Sequence, residues 1–315
     1  RKSNDLGFAK VLVIGAMTKK SEGKEISEMA TMKKGGIVAV SDDGNCVQSA
    51  KLMQNCLRYA SNFNIPVIIH ADDSNLAGKG QINAGKMATK LGMGGIPGLA
   101  EEIIISRDIM LAEATKARLH IAHISTAKSV ELVRQAKAKG LPITCEVTPH
   151  HLTLTEDATI DFDTNTKVKP PLRSNNDRMA LIDALNSGII DFIATDHAPH
   201  SDFEKELEFD YAPFGINGFE TAFASMYTHL VQTGLVSLER IIEAMTVAPA
   251  AFLGMQIGTL ESGHMADLII ADLNGQIDIN ADSMLSKSKN TPYLGKTLQG
   301  KIEMTFCNGR ITWEA

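Results

Sequence analysis

The 315 residues carry a formal net charge of −6, with 44% hydrophobic and 22% charged residues, a composition typical of a soluble globular protein long enough for one α/β barrel or two smaller domains. Lysines are scattered along the chain rather than striped, which excludes the electrostatic footprint of a nucleic-acid or polybasic membrane binder and favours a small-molecule ligand. The four cysteines lack Cys-x-x-Cys spacing and no apolar run approaches a membrane span, so we expect a reduced, cytoplasmic protein.

Apolar runs alternate with segments of helical spacing along the first two thirds of the chain. The runs at residues 11–16 and 37–40 are continuous and predict strands buried on both faces, and later runs predict strands at residues 66–70, 119–125, 143–150 and 189–193. Apolar residues at helical spacing predict helices near residues 26–32, 53–60, 101–117, 127–139 and 179–185. The pattern is therefore a βα alternation six strands long.

Six strands joined by helices predict a parallel sheet, because parallel neighbours need a crossover connection. Polar residues at the strand ends favour an α/β fold of the (β/α)8 TIM-barrel type, whose active sites lie at the carboxyl ends of the strands. An open doubly wound sheet would usually carry a glycine-rich phosphate turn after its first strand, and none is present. A helix starts at Ser237, and from Gly258 onward short β runs at residues 267–271, 302–306 and 310–313 predict part of a small β domain.

Five side chains of metal-binding type stand where predicted strands end, namely Asp43, His70, His123, His150 and Asp196. Any one of them alone is more simply explained as a helix cap, a core residue or a surface residue. Together, imidazoles and carboxylates gathered on one rim without a thiolate are a ligand set for a borderline divalent metal such as zinc. Such a metal polarises an amide carbonyl and lowers the pKa of bound water toward ~7, while a nearby carboxylate moves protons, so the pattern predicts hydrolytic chemistry.

Seven short motifs resemble, in this order, those of the bacterial dihydroorotases of the amidohydrolase superfamily: DDG at residues 42–44, VIIH at 67–70, HIAHIST at 120–126, EVTPHH at 146–151, KVKPPLR at 167–173, ATDHAPH at 194–200 and APFG at 212–215. Segments 258–268 and 289–293 are similar too, so the resemblance covers essentially the whole chain. It implies metal-dependent, reversible cyclisation of N-carbamoyl-L-aspartate to L-dihydroorotate in de novo pyrimidine biosynthesis. It also implies an amidohydrolase barrel over residues 1–254 and the C-terminal part of a β-sandwich domain over residues 255–315.

The resemblance implies a role for four of the strand-end residues. Asp43 would bridge two zinc ions, a role that related hydantoinases give to a carboxylated lysine, so the DDG motif favours a dihydroorotase. His70 and His123 would hold one metal. Asp196 would bind the other metal and act as general base and acid, taking a proton from the attacking hydroxide and giving it to the ring nitrogen.

The resemblance also implies a set of residues on the substrate side. His200, with the backbone at Phe214 and Gly215, would contact the substrate's carboxylate and ring amide edge. At the position of Lys169 the family commonly has an asparagine that contacts substrate, and the lysine would either salt-bridge a substrate carboxylate or point to solvent. The other motif histidines, which either support the ligands or are structural, are His150, His151 and His197.

Two family motifs are absent from the 315 residues: the His-x-His followed by arginine of the first barrel strand, and the Met-Pro-Asn of the second. We therefore expect strands three to eight of the barrel in this chain. Because the His-x-His would complete the second metal site with Asp196, we expect zero or one zinc ion in the chain as given, and weak or no activity.

Three functional hypotheses stay open at this point. The leading one is a dihydroorotase. The second is a hydantoinase or allantoinase, which acts on a different cyclic amide. The third is a catalytically silent dihydroorotase-like subunit that serves as a structural partner, although the intact set of Asp43, His70, His123 and Asp196 favours an enzyme. The resemblance further implies a homodimer, with association with aspartate carbamoyltransferase as an additional partner expectation.

Overall fold

The computed structural model describes residues 6–315. In that range the strands are β1 (Ile14–Ala16), β2 (Ala39–Ser41), β3 (Val67–Ile69), β4 (Ile82–Asn83), β5 (Gly95–Ile96), β6 (Leu119–Ile121), β7 (Ile143–Val147), β8 (Phe192–Ile193), β9 (Leu268–Asp278), β10 (Thr297–Cys307) and β11 (Arg310–Glu314). The helices are α1 (Met29–Lys34), α2 (Ala50–Asn62), α3 (Ser74–Ala77), α4 (Lys86–Leu91), α5 (Gly98–Thr115), α6 (Ala127–Ala138), α7 (Pro149–Thr153), α8 (Asn175–Asn186), α9 (Asp202–Lys205), α10 (Ala222–Met226), α11 (Leu238–Met245) and α12 (Val247–Phe252). Short 3₁₀ turns occupy Lys19–Ser21, Glu156–Thr159 and Thr164–Thr166, and a π-helical turn, Tyr227–Val231, continues α10.

The main sheet is parallel and follows the chain order β1-β2-β3-β6-β7-β8. In its centre, Val67 of β3 pairs with Leu119 of β6, which in turn pairs with Ile143 of β7. Each βα unit therefore adds its strand beside the previous one, as in a (β/α)8 barrel. The six predicted strands of the βα alternation are confirmed, and all their carboxyl ends lie on one side of the sheet.

The helices cover the sheet through apolar faces at helical spacing. In α2, Met53 and Leu57 are buried, and the Ser49 hydroxyl caps the helix by accepting the N–H of Leu52. The same core takes in Ile121 of β6 and extends through all the central strands. The packed helices therefore hold the strands in place, and with them the residues that follow each strand.

The run at residues 11–16 differs from its prediction. Only Ile14–Ala16 forms β1, and Val11, Val13 and Ile14 are 59%, 58% and 50% exposed. Within the described sheet β1 is an edge strand that pairs with β2 alone, whereas β2, one position further in, is fully buried. The prediction of burial on both faces was wrong for β1 because an apolar run indicates a strand but not its place in the sheet.

Two further differences lie close to the strand ends. The predicted strand at residues 119–125 stops at Ile121, since His123 adopts a φ of +37° that no β ladder accommodates. Between β3 and β6 the structure also contains a two-stranded parallel sheet, β4 and β5, that we did not predict. These strands are only two residues long, too short to produce a hydrophobic period.

The C-terminal region forms a separate antiparallel sheet in the order β11-β10-β9. Strands β9 and β10 have eleven residues each, which is longer than the predicted runs. Leu298 of β10 packs with Ile279, Tyr293 and Ala224, which joins this sheet to α10. The predicted domain boundary at residues 254 and 255 stays a prediction. Within residues 6–315, none of the helices combines the length and the apolar character that crossing a bilayer requires.

Candidate metal centre and substrate side

Residues of ligand type follow four strands of the parallel sheet. Asp43 comes two residues after β2 and His70 directly after β3, while His123 follows β6 and Asp196 follows β8. Because the carboxyl ends of parallel strands share one edge, these side chains are brought to the same rim. The sheet order therefore explains why residues up to 153 positions apart in sequence are near one another.

Asp43, His70 and His123 form a compact group of ligand atoms. Nδ1 of His70 lies 3.0 Å from Nε2 of His123, and Oδ1 of Asp43 lies 3.4 Å from His123 Nε2 and 3.9 Å from His70 Nδ1. All three atoms are within 4.8 Å of one another. Two ligand atoms that are each about 2.1 Å from a tetrahedral zinc ion are roughly 3.4 Å apart. The spacing of this donor set therefore fits one divalent metal.

The charges of the group point the same way. Burial opposes ionisation of Asp43, but the hydrogen bond from His123 and the neighbouring imidazole charges outweigh it and lower the pKa of Asp43 to about 2. Burial likewise opposes protonation of His123, yet Asp43 and Asp196 raise the pKa of His123 to about 9. Burial and the charge of His123 lower the pKa of His70 to about 3. A metal that binds these atoms therefore competes with the proton of His123, whose pKa is raised.

Asp196 lies outside this group of three but interacts with it through charge. Its φ of +48° is left-handed, a conformation that a non-glycine residue keeps only when its surroundings impose it. Burial raises the pKa of the Asp196 carboxyl; His123 opposes this, and the nearby charges of Asp43 and Glu146 add to it. A carboxyl whose pKa is raised toward neutrality is suited to accepting a proton and returning it.

Other motif histidines are committed to hydrogen bonds. His151 uses both ring nitrogens, with Thr148 Oγ1 at 2.7 Å and the Pro170 carbonyl at 3.0 Å. His197 accepts the N–H groups of Gly218 and Phe219 at Nδ1 and stacks on the Phe219 ring at 3.7 Å. His150 is the exception: it lies in α7, outside the three-residue group but close enough for the charge of His123 to help burial lower its pKa, and its buried Nε2 has no partner among the described residues.

Three residues that we predicted to contact the substrate, His200, Phe214 and Gly215, lie close together. His200 Nε2 donates to the Phe214 carbonyl over 2.9 Å. Gly215 has a φ of +125°, and a Cβ there would lie 2.6 Å from the Ala198 methyl carbon, so only glycine fits this turn. Asn290 donates to the carbonyls of Ala198 and Gly215 and accepts the His200 N–H, and so holds both segments together. Asn290 belongs to segment 289–293, which resembles the dihydroorotases but for which we predicted no role.

Lys169 is held by a carboxylate of the protein. Its Nζ pairs with Asp72 Oδ2 at 2.8 Å and lies 5.9 Å from the centre of the Phe214 ring. Lys169 and His70 both line a cavity of about 10 Å³, room for about one water molecule. In the structure, Lys169 is therefore paired with Asp72, and its contact with a substrate carboxylate stays a prediction.

Asp42 is a site residue that the sequence prediction missed. Its Oδ1 accepts the Thr18 N–H at 2.9 Å, its Oδ2 accepts the Thr18 hydroxyl, and it is only 3% exposed. The turn that carries Asp43 is therefore anchored to the segment after β1. The adjacent pair of aspartates in the DDG motif was the available signal, because two neighbouring carboxylates rarely face the same ligand.

Residues 6–312 match the family described as Amidohydrolase family. The chain is 48% identical over 308 residues to a protein named dihydroorotase from Caldanaerobacter subterraneus subsp. tengcongensis, covering 98% of this chain and 71% of that protein. It is also 48% identical over 314 residues to a protein named dihydroorotase from Endomicrobium trichonymphae, covering 99% and 74%.

Solved structures with the same fold include an L-hydantoinase (dihydropyrimidinase) from Arthrobacter aurescens, with a TM-score of 0.82 at 28% identity over 91% of this chain and 67% of that one. A dihydropyrimidinase from Brevibacillus agri has a TM-score of 0.79 at 23% identity over 90% and 65%, a likeness of fold alone. The predicted barrel fold is confirmed. The chain belongs to the amidohydrolase family and, within it, to the dihydroorotases.

Proposed function

We propose that this protein is a metal-dependent dihydroorotase that reversibly cyclises N-carbamoyl-L-aspartate to L-dihydroorotate. The observation that carries the proposal is the 44% to 48% identity, across nearly the whole chain, to several proteins named dihydroorotase. The aspartate at position 43 supports it further, because a hydantoinase would have a carboxylated lysine in the equivalent role. The donor set of Asp43, His70 and His123 supports a metal requirement.

In this proposal Asp43, His70 and His123 hold zinc, which when bound polarises the amide carbonyl and lowers the pKa of water toward ~7. Asp196 takes a proton from the attacking water and gives it to the ring nitrogen as the C–N bond breaks. In the direction of ring closure the same carboxyl takes the proton from the ureido nitrogen that attacks the side-chain carboxyl carbon, and gives it to the hydroxyl that leaves that carbon as water. The raised pKa of Asp196 suits both directions.

The substrate-binding roles proposed for His200, Phe214 and Gly215 are supported by their hydrogen bonds. His200 donates its Nε2–H to the Phe214 carbonyl, and its Nδ1 lies 3.9 Å from Oε2 of Glu204, beyond hydrogen-bond distance. When this imidazole is protonated, Nδ1–H is a charge-assisted donor to a substrate carboxylate. The Gly215 N–H is held by the Lys167 carbonyl at 2.9 Å, so the turn is already formed without substrate.

The test is a comparison of cyclic substrates with zinc-loaded protein. We expect a higher kcat/KM for dihydroorotate than for hydantoin or allantoin, and the reverse order would overturn the proposal in favour of a hydantoinase or allantoinase. For a longer version that carries a His-x-His motif, absence of turnover with all three substrates would instead identify a silent structural subunit.

We further propose that a polypeptide of these 315 residues, assayed alone, binds at most one zinc ion and turns over weakly. The sequence contains no His-x-His to complete a second site with Asp196, and each 1.36 kcal/mol of lost transition-state stabilisation lowers the rate about tenfold. Elemental analysis and a side-by-side assay against the longer version test this. Two tightly bound zinc ions, or equal turnover from both, would show that the roles are wrongly assigned.

A homodimer, association with aspartate carbamoyltransferase and a cytoplasmic location are also proposals. The four cysteines are free thiols, which is consistent with a reducing compartment. Light scattering on the purified protein, alone and mixed with aspartate carbamoyltransferase, would measure both associations.

A further inference from the structure

A buried ion pair lies next to the metal centre. Glu101 of α5 and Arg173, in the segment after β7, are 3% and 4% exposed, and Arg173 Nη2 lies 3.7 Å from Glu101 Oε2. Both residues line the same small cavity as His70. Neither residue has a role in the proposed chemistry. Burying two charges costs free energy unless they pair closely and their other polar atoms are hydrogen-bonded.

Glu101 holds the turn that carries His123. Its Oε1 accepts the Ser125 N–H at 2.9 Å and the Ser129 hydroxyl at 2.5 Å, and its Oε2 accepts the Ser125 hydroxyl. Ser125 is two residues after His123, whose φ of +37° is left-handed. Such a backbone conformation persists only when neighbouring contacts enforce it. The Glu101 carboxylate supplies two of these contacts, both to Ser125, and its third bond, to Ser129, ties the turn to α6.

Arg173 connects the same turn to the rest of the rim. Its Nε donates to Ser125 Oγ at 3.0 Å, and its Nη1 donates to the Ile96 carbonyl at 2.8 Å and to Asn83 Oδ1 at 2.9 Å. Four residues before Arg173 is Lys169, which lines the cavity beside His70. The pair therefore joins α5, the turn after β6, the segment after β7 and the β4–β5 sheet.

We propose that Glu101 and Arg173 are positioning residues of the metal centre, which hold the His123 turn at its distance from His70 and thereby set the affinity of the site for zinc. The inference rests on the metal site of the proposed function but not on the identity of the substrate. Partners that orient a ligand from behind typically change metal affinity 10–100-fold when they are removed. A purely structural ion pair would change the stability of the chain and leave the affinity as it was.

The experiment compares E101Q with a matched carboxylate at the opposite ends of the strands. Asp191 Oδ2 pairs with Lys137 Nζ at 2.7 Å and accepts the Cys145 N–H at 2.8 Å, so D191N also removes one carboxylate charge from a hydrogen-bonded, half-buried pair. We measure the zinc Kd of each full chain by competition with a chromogenic chelator, and the thermal midpoint of each metal-free chain. E101Q should weaken zinc binding about 10–100-fold, and D191N should lower the midpoint without changing the Kd.

An unchanged Kd in folded E101Q, or equal weakening in D191N, overturns the proposal. If E101Q does not fold, S125A replaces it: that variant keeps both charges and deletes only the shared hydroxyl, and it must weaken zinc binding in the same direction. If the unaltered chain does not bind zinc, this inference fails together with the metal site. Zinc binding with no turnover of dihydroorotate, in the longer version as well, would overturn the proposed function and leave this inference standing.

Discussion

The two ends of the parallel sheet treat their polar groups differently. At the amino ends, Asp191 Oδ2 accepts from Lys137 and from the Cys145 N–H, and neither Asp191 nor Lys137 has a left-handed φ angle. At the carboxyl ends, His123 and Asp196 have left-handed φ angles, and the buried Nε2 of His70 has no partner among the described residues. An unpartnered buried imidazole and left-handed residues that end no helix therefore occur together at the carboxyl ends, whereas Asn64 and Lys116, the left-handed residues before β3 and β6, only follow the preceding helices.

This difference indicates which end is built for a ligand. Buried polar groups are normally hydrogen-bonded, and exceptions cluster where a ligand or a reaction completes them. The amino end at Asp191 pairs its charge within the protein, whereas the carboxyl ends keep an unpartnered imidazole beside the carboxylates of the proposed metal site. We therefore expect substitutions at the carboxyl ends to change activity and metal affinity, and substitutions at the amino ends to change stability alone.

The largest effect is expected from D196N. In the active protein it should reduce kcat about 10²–10⁴-fold, because an amide cannot accept the proton of the attacking water. The thermal midpoint should stay the same or rise, since a buried charge in a strained conformation is removed. Steady-state kinetics and calorimetry measure the two quantities, and full activity in D196N would remove the reason for placing the proton transfer at this residue.

Zinc affinity should distinguish the histidines of the proposed metal site from the histidines whose ring nitrogens are both hydrogen-bonded within the protein. H70A and H123A should each weaken zinc binding more than about 100-fold, beyond the range that loss of an outer partner produces. H151Q is the matched control, because both nitrogens of His151 are used by Thr148 and Pro170. Equal weakening in H151Q and H123A would mean that the three-residue group is not the metal site.

The pH dependence of stability tests whether His151, a hydrogen-bonded histidine, is buried in its neutral form. Burial lowers the pKa of His151 to about 3, from 6.5 ordinarily. Below pH 6.5 the unfolded chain therefore binds a proton that the folded chain does not, and stability falls by about 1.36 kcal/mol per pH unit. From pH 6.5 to pH 4.5, metal-free wild type should lose about 2 kcal/mol more than H151Q, because half of the unfolded chains already carry the proton on His151 at pH 6.5. Urea unfolding measures this, and a constant difference between the two would contradict the buried neutral imidazole.

The smallest effect is expected at the amino ends. D191N should lower the free energy of unfolding by only about 1–2 kcal/mol, because asparagine still accepts the Cys145 N–H although the bond to Lys137 is weakened. Its kcat and KM should equal those of the wild type. A loss of activity in D191N comparable to that in D196N would abolish the distinction between the two ends.

Several features of the site could be predicted because they are local in sequence. A carboxylate or histidine directly after an apolar run indicates a strand end, and this pattern located Asp43, His70 and His123 before their distances were known. The contacts of Glu101, Arg173 and Asn290 could not be predicted in this way. They join residues 24 to 92 positions apart through hydrogen bonds, which leave no periodic trace in the chain.

By itself the sequence determined the order of strands and helices and the residue types on the rim, because hydrophobic periodicity and chain order suffice for a βα repeat. It could not decide which histidines are free to bind a metal. His120 and His123 belong to one motif, yet His120 is taken by Thr144 and Glu146 and stacks on Phe192, while His123 faces His70. Only the tertiary structure decided this, because the partners that occupy an imidazole come from neighbouring strands and not from its own segment.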